Sequence, residues 1–334
     1  MRHYKSIITS LLLVTLCTAN AHAAGLDSLW FDMRTSFHQQ LEEDTYSNQF
    51  RGEFLNLHVK GHLSDNIEYC IRQRFSKKLF DESNMFNGTD KMYLNWHINE
   101  KWSLLAGKNS MLFGGYEYED TPIDLYYLSL FCQNLPQSYG FGVSTTYSFN
   151  RRQALTFQIC NSPLSLGQSD KYAYNLMWNG AAASWWNTIW SLNLVEDYRN
   201  REIAYLALGN QFVFGPVIWE LDVMSRSGIG QDNCLLADMS LISKIEWNVG
   251  NWNIFTKSGY EWNNSDNMTW DKIPYDIVIT PGTSYFYTGF GAEWFPLGND
   301  RLRLHAVYHR DSYIPRYNLE LGLTWRINAF KTGA

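Results

Sequence analysis

Charged side chains recur at alternate positions in several stretches of this sequence, and their chemistry can be interpreted first. Basic residues that would share one face of extended segments are Arg34, Lys60, Arg72, Arg74, Arg303 and Arg326. The segment 110–138 follows Lys108 and is acidic instead, with Glu117, Glu119, Asp120 and Asp124. Acidic and basic patches that face each other can orient polar solutes and set the ion preference of a water-filled passage.

Residues suited to catalysis or metal binding lack the spacing that those functions need. Beyond residue 23 there are six histidines, and none lies in a G-x-S-x-G or H-E-x-x-H motif. The cysteines in the same part show no C-x-x-C spacing, so we predict no metal site and no cofactor. Cys132 and Cys234 both fall in predicted loops, and a disulfide between them is the one pairing that we consider.

The first 23 residues have the pattern of a secretory signal peptide. A basic start precedes an apolar run from Ile7 to Leu16, and Ala21-His22-Ala23 matches the small-x-small cleavage pattern. The apolar run is too short to span a bilayer as a helix, which needs about 20 residues. We therefore expect residues 1–23 to be removed and residues 24–334 to form one exported domain.

The composition separates this domain from ordinary soluble proteins. Aromatic residues make up 16% of the chain and charged residues only 18%, while the mean hydropathy is still negative at -0.32. A membrane β-barrel has this combination, because each strand faces lipid on one side and water on the other, with aromatic girdles at the interfaces. The net charge of -6 argues against nucleic-acid binding, which needs a basic surface.

Alternation of apolar and polar residues is the dominant signal along the chain. Near the C-terminus, Leu319, Leu321 and Leu323 interleave with polar neighbours, which places the two sets on opposite faces of a strand. We predict sixteen strands, near 29–37, 52–62, 67–76, 91–98, 103–109, 139–149, 154–161, 171–178, 186–195, 202–214, 217–226, 238–247, 252–262, 284–295, 301–309 and 316–328. The alternation is blurred at 103–109, 171–178 and 186–195.

The predicted connections alternate between short and long. Short turns fall at segments such as Asn150-Arg151-Arg152, Asn179-Gly180 and Gly215-Pro216, which have turn-forming residues. Between them lie longer polar segments at 38–51, 77–90, 110–138, 162–170, 196–201, 227–237, 263–283 and 310–315. Outer-membrane barrels have this rhythm of periplasmic turns and extracellular loops, and they close because no sheet edge can stay unpaired in lipid. We therefore predict a transmembrane antiparallel β-barrel of about 16 strands in the bacterial outer membrane, with membrane lipids around it.

The segment before the longest loop resembles a known family. Leu105-Ala106-Gly107-Lys108, then residues 112–118 (LFGGYEY) and Pro122-Ile123-Asp124 resemble the phosphate-selective porin O/P family in its Bacteroidetes branch. The hairpin at 54–75 is similar to that family's opening hairpin. The resemblance implies a diffusion channel, usually a homotrimer, whose third long loop folds inward and narrows the pore as a constriction loop, here 110–138. That loop has no basic residue after Lys108, whereas the phosphate-selecting members have a lysine- and arginine-rich lining.

A porin is therefore the function that we predict, and two other classes stay open. In a closed barrel the basic residues would lie on one arc of the inner wall opposite the acidic loop, and small hydrophilic solutes or anions would pass between them. Sugar stacking is an alternative interpretation of Tyr116, Tyr118, Tyr126, Tyr127, Trp270, Tyr285 and Tyr287. An outer-membrane hydrolase lacks its catalytic group of residues, so we predict no enzyme activity. A surface adhesin would depend on loops that are of modest length.

Overall fold

The computed structural model describes residues 25–42, 45–76, 85–129, 131–132, 139–231, 238–263, 282–312 and 315–332. The predicted signal peptide and Cys234 lie outside these residues. Sixteen antiparallel strands form a closed barrel in which β1 pairs with β16. The strands are β1 Leu26–Glu42, β2 Thr45–Ser64, β3 Ile67–Arg74, β4 Thr89–His97, β5 Trp102–Ser110, β6 Tyr139–Asn150, β7 Gln153–Asn161, β8 Tyr172–Ala183, β9 Trp186–Glu196, β10 Glu202–Phe214, β11 Val217–Gly228, β12 Asp238–Val249, β13 Trp252–Trp262, β14 Ser284–Trp294, β15 Leu302–Asp311 and β16 Arg316–Lys331.

The two faces of each strand differ as the alternation predicts. In β16, Leu319, Leu321 and Leu323 are exposed on the outer surface, whereas Asn318 and Glu320 are buried on the inner one. Large apolar side chains on the outside can face lipid, while every strand edge is hydrogen-bonded to a neighbour. The sixteen-stranded membrane barrel predicted from the sequence is confirmed. No helix in the described ranges is both long and apolar enough to cross a membrane.

Two connections differ from their predictions. The predicted loop 38–51 is largely strand, because β1 and β2 continue as a paired hairpin up to Glu42 and Thr45. The rings of Phe37 and Phe50 pack across it with centroids 4.9 Å apart, which supports the extension. The turn predicted at Asn179-Gly180 lies inside β8 instead, since the alternation continues through the alanines that follow, and the turn forms at 184–185.

The segment after β5 folds into the barrel, and we call its described part, residues 111–129 and 131–132, the inner loop. It contains a single helical turn, α1 (Tyr116–Glu119), and a 3-10 turn, Pro122–Asp124. Its apolar side chains pack on the inner wall from β7 to β12. This cluster comprises Met111, Phe113, Tyr118, Phe131, Cys132, Cys160, Ala173, Val195, Ile203, Tyr205, Ala207, Met224 and Ile242. The loop is thus held against one side of the lumen by hydrophobic packing.

Candidate functional site

The inner loop enters the lumen through a turn that depends on glycine. Gly114 and Gly115 have φ angles of 70° and 81°, a region that other residues rarely adopt. A Cβ on Gly115 would lie only 2.9 Å from the Cε atom of Met224. Directly after this turn, the backbone N–H groups of Tyr116 and Glu117 donate to the two carboxylate oxygens of Asp222, each at 2.9 Å. Asp222 on β11 therefore caps the start of α1.

The base of the inner loop is fixed to β13 by a buried ion pair. Glu117 accepts from the ammonium of Lys257, and it also accepts from the backbone N–H of Ser129 at 2.8 Å. Lys257 donates in addition to the carbonyl oxygen of Tyr127 at 2.7 Å. Although burial alone would raise it, the pKa of Glu117 is lowered from its ordinary value by Lys257 and Ser129. The pair therefore joins both ends of the loop to the wall in its charged form.

The tip of the inner loop is held from the opposite side by two arginines. Arg34 on β1 donates to the carbonyl oxygens of Ile123 and Leu125, both at 2.9 Å. Arg303 on β15 donates to the carbonyl oxygen of Ile123 at 3.1 Å and pairs with Asp124 at 2.9 Å. Since β1 and β15 lie on either side of β16, the loop crosses the lumen from the wall at β7–β12 to the wall at the barrel closure.

A cavity of about 360 Å³ lies between the inner loop and the wall, and we call it the acidic chamber. It extends to the short turn 295–301, so it opens toward the end of the barrel that carries the short turns. Its lining residues are Asp120, Asp124, Leu125, Tyr126, Tyr127, Glu220, Lys244, Glu246, Asn253, Phe255, Lys257, Glu293, Phe295, Asp300 and Arg303. Six of these are carboxylates and three are basic.

Lys244 on β12 lies at the centre of the chamber's charges. Its ammonium is 2.8 Å from Glu246, 3.5 Å from Asp120 and 3.8 Å from Glu220. Burial, together with Glu220, Glu246 and Asp124, raises the pKa of Asp120 to about 7, although Lys244 opposes this shift. One loop carboxylate and two wall carboxylates thus share a single cation.

The arginines of the predicted basic arc are paired with carboxylates of the wall, of the inner loop or of a short turn. Arg74 lies 2.8 Å from Asp90, and Arg72 lies 3.3 Å from the same oxygen. Arg34 pairs with Glu53, which lies beside it on β2. Arg326 pairs with Asp32 at 2.6 Å and also with Asp300. Arg303 pairs with Glu293 at 3.2 Å and also with Asp124. The arc is therefore much closer to neutral than the sequence indicates.

Two predicted lysines occupy different surroundings. Lys60 is exposed near the short-turn end, where its ammonium lies 5.5 Å from the centre of the Trp30 ring. Lys108 belongs to the outer side of the wall, because its cross-strand neighbour Phe141 is an exposed outward-facing residue. It donates to the carbonyl oxygen of Phe86 at 2.6 Å. The structure thus does not group Lys108 with the lumen residues, since the pleat of β5 directs it outward.

Glu119 faces the other side of the inner loop. The main positive charge that acts on Glu119 is Lys91 on β4. The Oε1 atom of Glu119 accepts no hydrogen bond within the described ranges. Burial raises the pKa of Glu119 to about 7, although Lys91 and a backbone N–H at Gly114 oppose the shift. The acidic residues therefore do not face the basic arc as one group. Glu119 points toward β4, while Glu117 pairs with Lys257 on β13, Asp120 with Lys244 on β12 and Asp124 with Arg303 on β15.

Most aromatic residues considered for sugar stacking are buried or already pack against other rings. Tyr116, Tyr118, Tyr285 and Tyr287 are buried, and Trp270 lies outside the described residues. Tyr126 and Tyr127 line the chamber, but each already stacks on another ring, as Tyr126 does on Phe255 at 5.7 Å. Their hydroxyls donate to Glu293 at 2.6 Å and to the Lys257 carbonyl at 2.8 Å. These tyrosines position the loop.

The wall residues opposite the loop were not singled out in the sequence analysis. Lys244, Glu246, Lys257 and Glu293 occur at alternate positions of separate strands, where such charges are also typical of ordinary lumen residues. Their inward register could be predicted from the alternation. Their convergence on the loop could not, because it depends on how the loop folds. No three His, Cys, Asp or Glu side chains in the described ranges are arranged to hold a metal ion.

Comparison with protein families supports the resemblance seen in the sequence. The family model described as phosphate-selective porin O and P matches residues 24–184, slightly under half of the chain. The matched part includes the predicted constriction loop and the strands on both sides of it. No significant match is found among curated proteins.

Solved structures show the same fold at low sequence identity. OprB of Pseudomonas putida has a TM-score of 0.68 at 8% identity, with 92% of this chain and 96% of that chain covered. DcaP, an outer-membrane channel of Acinetobacter baumannii, has a TM-score of 0.65 at 12% identity, covering 91% and 98%. An anion-selective porin from Comamonas acidovorans has a TM-score of 0.62 at 8% identity, covering 90% and 99%. The fold is that of outer-membrane porins.

Proposed function

We propose that this chain, an outer-membrane β-barrel protein of the porin type, lets small hydrophilic solutes and ions, anions included, cross by passive diffusion. The observation that carries the proposal is the inner loop, which crosses a polar lumen and is fixed at its tip by Arg34 and Arg303. A loop that is fixed at its base and at its tip stays in place and narrows the pore. The charges of the wall can then act on the solutes and ions that pass.

The family and the assembly state belong to the same proposal. The match over residues 24–184 and the Gly-Lys and Phe-Gly motifs support membership of the phosphate-selective porin O and P family, and the motifs favour its Bacteroidetes branch. A homotrimer is the assembly that this membership favours. A preference for phosphate is not part of the proposal, because the arginines of the basic arc are already paired with carboxylates.

A channel is favoured over an enzyme by the family match and by the likeness to porins. Glu220 and Asp222, two acidic residues on the inner face of β11, are the pair that a catalytic interpretation would use. Asp222 is engaged in capping α1, and Glu220 accepts from the Gln211 amide at 2.9 Å, so neither stands beside a nucleophile as a general base would.

Planar-bilayer recording tests the proposal. We expect the purified protein to insert with stepwise increases in conductance, and we expect liposomes that contain it to swell in small sugars and amino acids but not in large oligosaccharides. A bilayer that remains silent with protein that is folded by circular dichroism would contradict the channel. Liposome swelling by solutes of graded size also measures how far the inner loop narrows the lumen.

A further inference from the structure

We infer that the acidic chamber, not the basic arc, sets the ion preference of this channel, and that the preference is for small cations. The inference rests on the proposed diffusion channel. It concerns the ion preference, for which the basic arc in the sequence favoured anions.

The first argument is the formal charge of the chamber. Six carboxylates and three basic groups line it, so its charge is −3 when every group is ionised. Part of this charge is neutralised locally, because Asp120, Glu220 and Glu246 share Lys244, and Asp124 and Glu293 share Arg303. Asp300 pairs with Arg326, which is not a lining residue, and counting this arginine leaves a formal excess of two carboxylates. A cavity with walls of low polarity and an excess of one sign concentrates counter-ions.

The second argument is which charges the solvent reaches. The side chains of Asp300, Asp124 and Asp120 are 67%, 50% and 30% exposed. The three basic side chains of the chamber are much less accessible, at 17% for Lys244, 11% for Arg303 and 5% for Lys257. The other three carboxylates, Glu246, Glu220 and Glu293, are as buried as the basic groups, at 17%, 9% and 6%. The most accessible charges among the lining residues are therefore the three aspartates, so an ion in the chamber meets negative charge first.

The third argument comes from the basic arc. Arg34, Arg72 and Arg74 have side chains with little exposure, and each pairs with Glu53 or Asp90. Paired and buried charges produce a weaker field in the lumen than free ones. Lys60 is exposed near the short-turn end, and Arg326, whose side chain is 34% exposed, is paired there with Asp32 and with Asp300.

The position of the chamber gives these charges influence over transport. It lies beside the inner loop and continues to the short turn that carries Asp300. Ions that move along this side of the lumen, between the loop and the short-turn end, therefore pass within reach of its carboxylates. In water, one unit charge at about 10 Å changes the local concentration of a monovalent ion by roughly twofold, and salt screens this effect over a similar distance.

Reversal-potential measurements in a KCl gradient test the inference. We expect a potassium-to-chloride permeability ratio above one that falls toward one as the salt concentration rises. The double substitution Glu246→Gln and Asp300→Asn removes two carboxylates without changing side-chain size. We expect it to lower the ratio several-fold at low salt, because each removed charge changes the local potassium and chloride concentrations by roughly twofold in opposite directions before screening.

Glu100→Gln is the matched control, because Glu100 is an exposed carboxylate in the short turn between β4 and β5, across the barrel from the chamber. We expect it to leave the ratio nearly unchanged. Absence of conductance would contradict the proposed function itself. Normal conductance with a potassium-to-chloride permeability ratio of one or less would overturn the cation preference. If Glu100→Gln lowers the ratio as much as the double substitution does, the assignment of the preference to the chamber is wrong. If the double variant does not insert, Asp300→Asn alone, at a residue two-thirds exposed, makes the same comparison.

Discussion

Glu117 in the inner loop and Lys257 on β13 form an ion pair whose side chains are only 3% and 5% exposed. Breaking a buried pair leaves one uncompensated charge, which costs about 3–5 kcal/mol. We expect Lys257→Met to lower the free energy of unfolding by an amount in this range, measured by urea titration in detergent. The double variant Lys257→Met with Glu117→Gln should recover much of the loss. Equal losses in the single and double variants would show that the pair's charge is not what stabilises the loop.

The glycine turn at the loop entrance gives a second prediction. Gly115→Ala adds a Cβ 2.9 Å from Met224 at a φ of 81°, and a non-glycine residue in such a conformation costs about 1–3 kcal/mol. We expect lower stability and an altered single-channel conductance, because the start of α1 must move. Gly52→Ala is the control, since nothing lies within 4 Å of a Cβ at that glycine. Equal effects of the two substitutions would contradict the requirement for glycine at the turn.

The arginine that holds the loop tip gives a third prediction. Arg34→Ala removes two charge-assisted hydrogen bonds, to the carbonyl oxygens of Ile123 and Leu125. We expect noisier open-channel current and a larger mean conductance in planar bilayers, because the tip loses half of its attachment. Arg316→Ala removes an arginine that pairs with Glu42 on β1, where both side chains are about one-third exposed. That control should behave like the unaltered protein; matching noise in both variants would exclude a specific role for Arg34.

The pH dependence of selectivity gives a fourth prediction. Burial raises the pKa of Glu119 and of Asp120 to about 7. Both carboxyls are charged above that pH and neutral below it, so the potassium-to-chloride permeability ratio should fall as the pH is lowered from about 8 to about 6. Lys91 faces Glu119, while Lys244, Glu220, Glu246 and Asp124 surround Asp120, and all of these contribute to where the transition lies.

The variant with Glu119→Gln and Asp120→Asn provides the comparison for this titration. We expect its permeability ratio to change much less over the same pH range. A full pH response in this variant would assign the titration to other groups. Because the folded protein binds these two protons more tightly than an unfolded chain does, the same carboxyls favour folding most at pH values below about 4 and lose that contribution as the pH rises through about 7.

The sequence alone determined the barrel, because a strand in lipid requires apolar and polar residues to alternate within its own segment. Each membrane strand must present apolar residues outward, so the period of two in segments such as β16 identified all sixteen strands. The three blurred segments lie at β5, β8 and β9. In β8 and β9 the cause is visible in the structure: Ala173, Met177, Ile189 and Val195 are apolar residues on the inner face, where they pack on the inner loop. Both faces are then apolar, and the alternation fades.

Only the tertiary structure decided which charges act together. The sequence identified Glu117, Asp120 and Asp124 as loop acids, but their partners Lys257, Lys244 and Arg303 lie far along the chain and approach them only once the loop has folded across the lumen. The sequence likewise grouped the arginines into one basic arc. Side-chain pairing across neighbouring strands neutralises them, and that pairing depends on register and rotamer rather than on alternation. A period of two fixes which face a charge is on, while the field in the lumen depends on distances and burial that only the folded barrel sets.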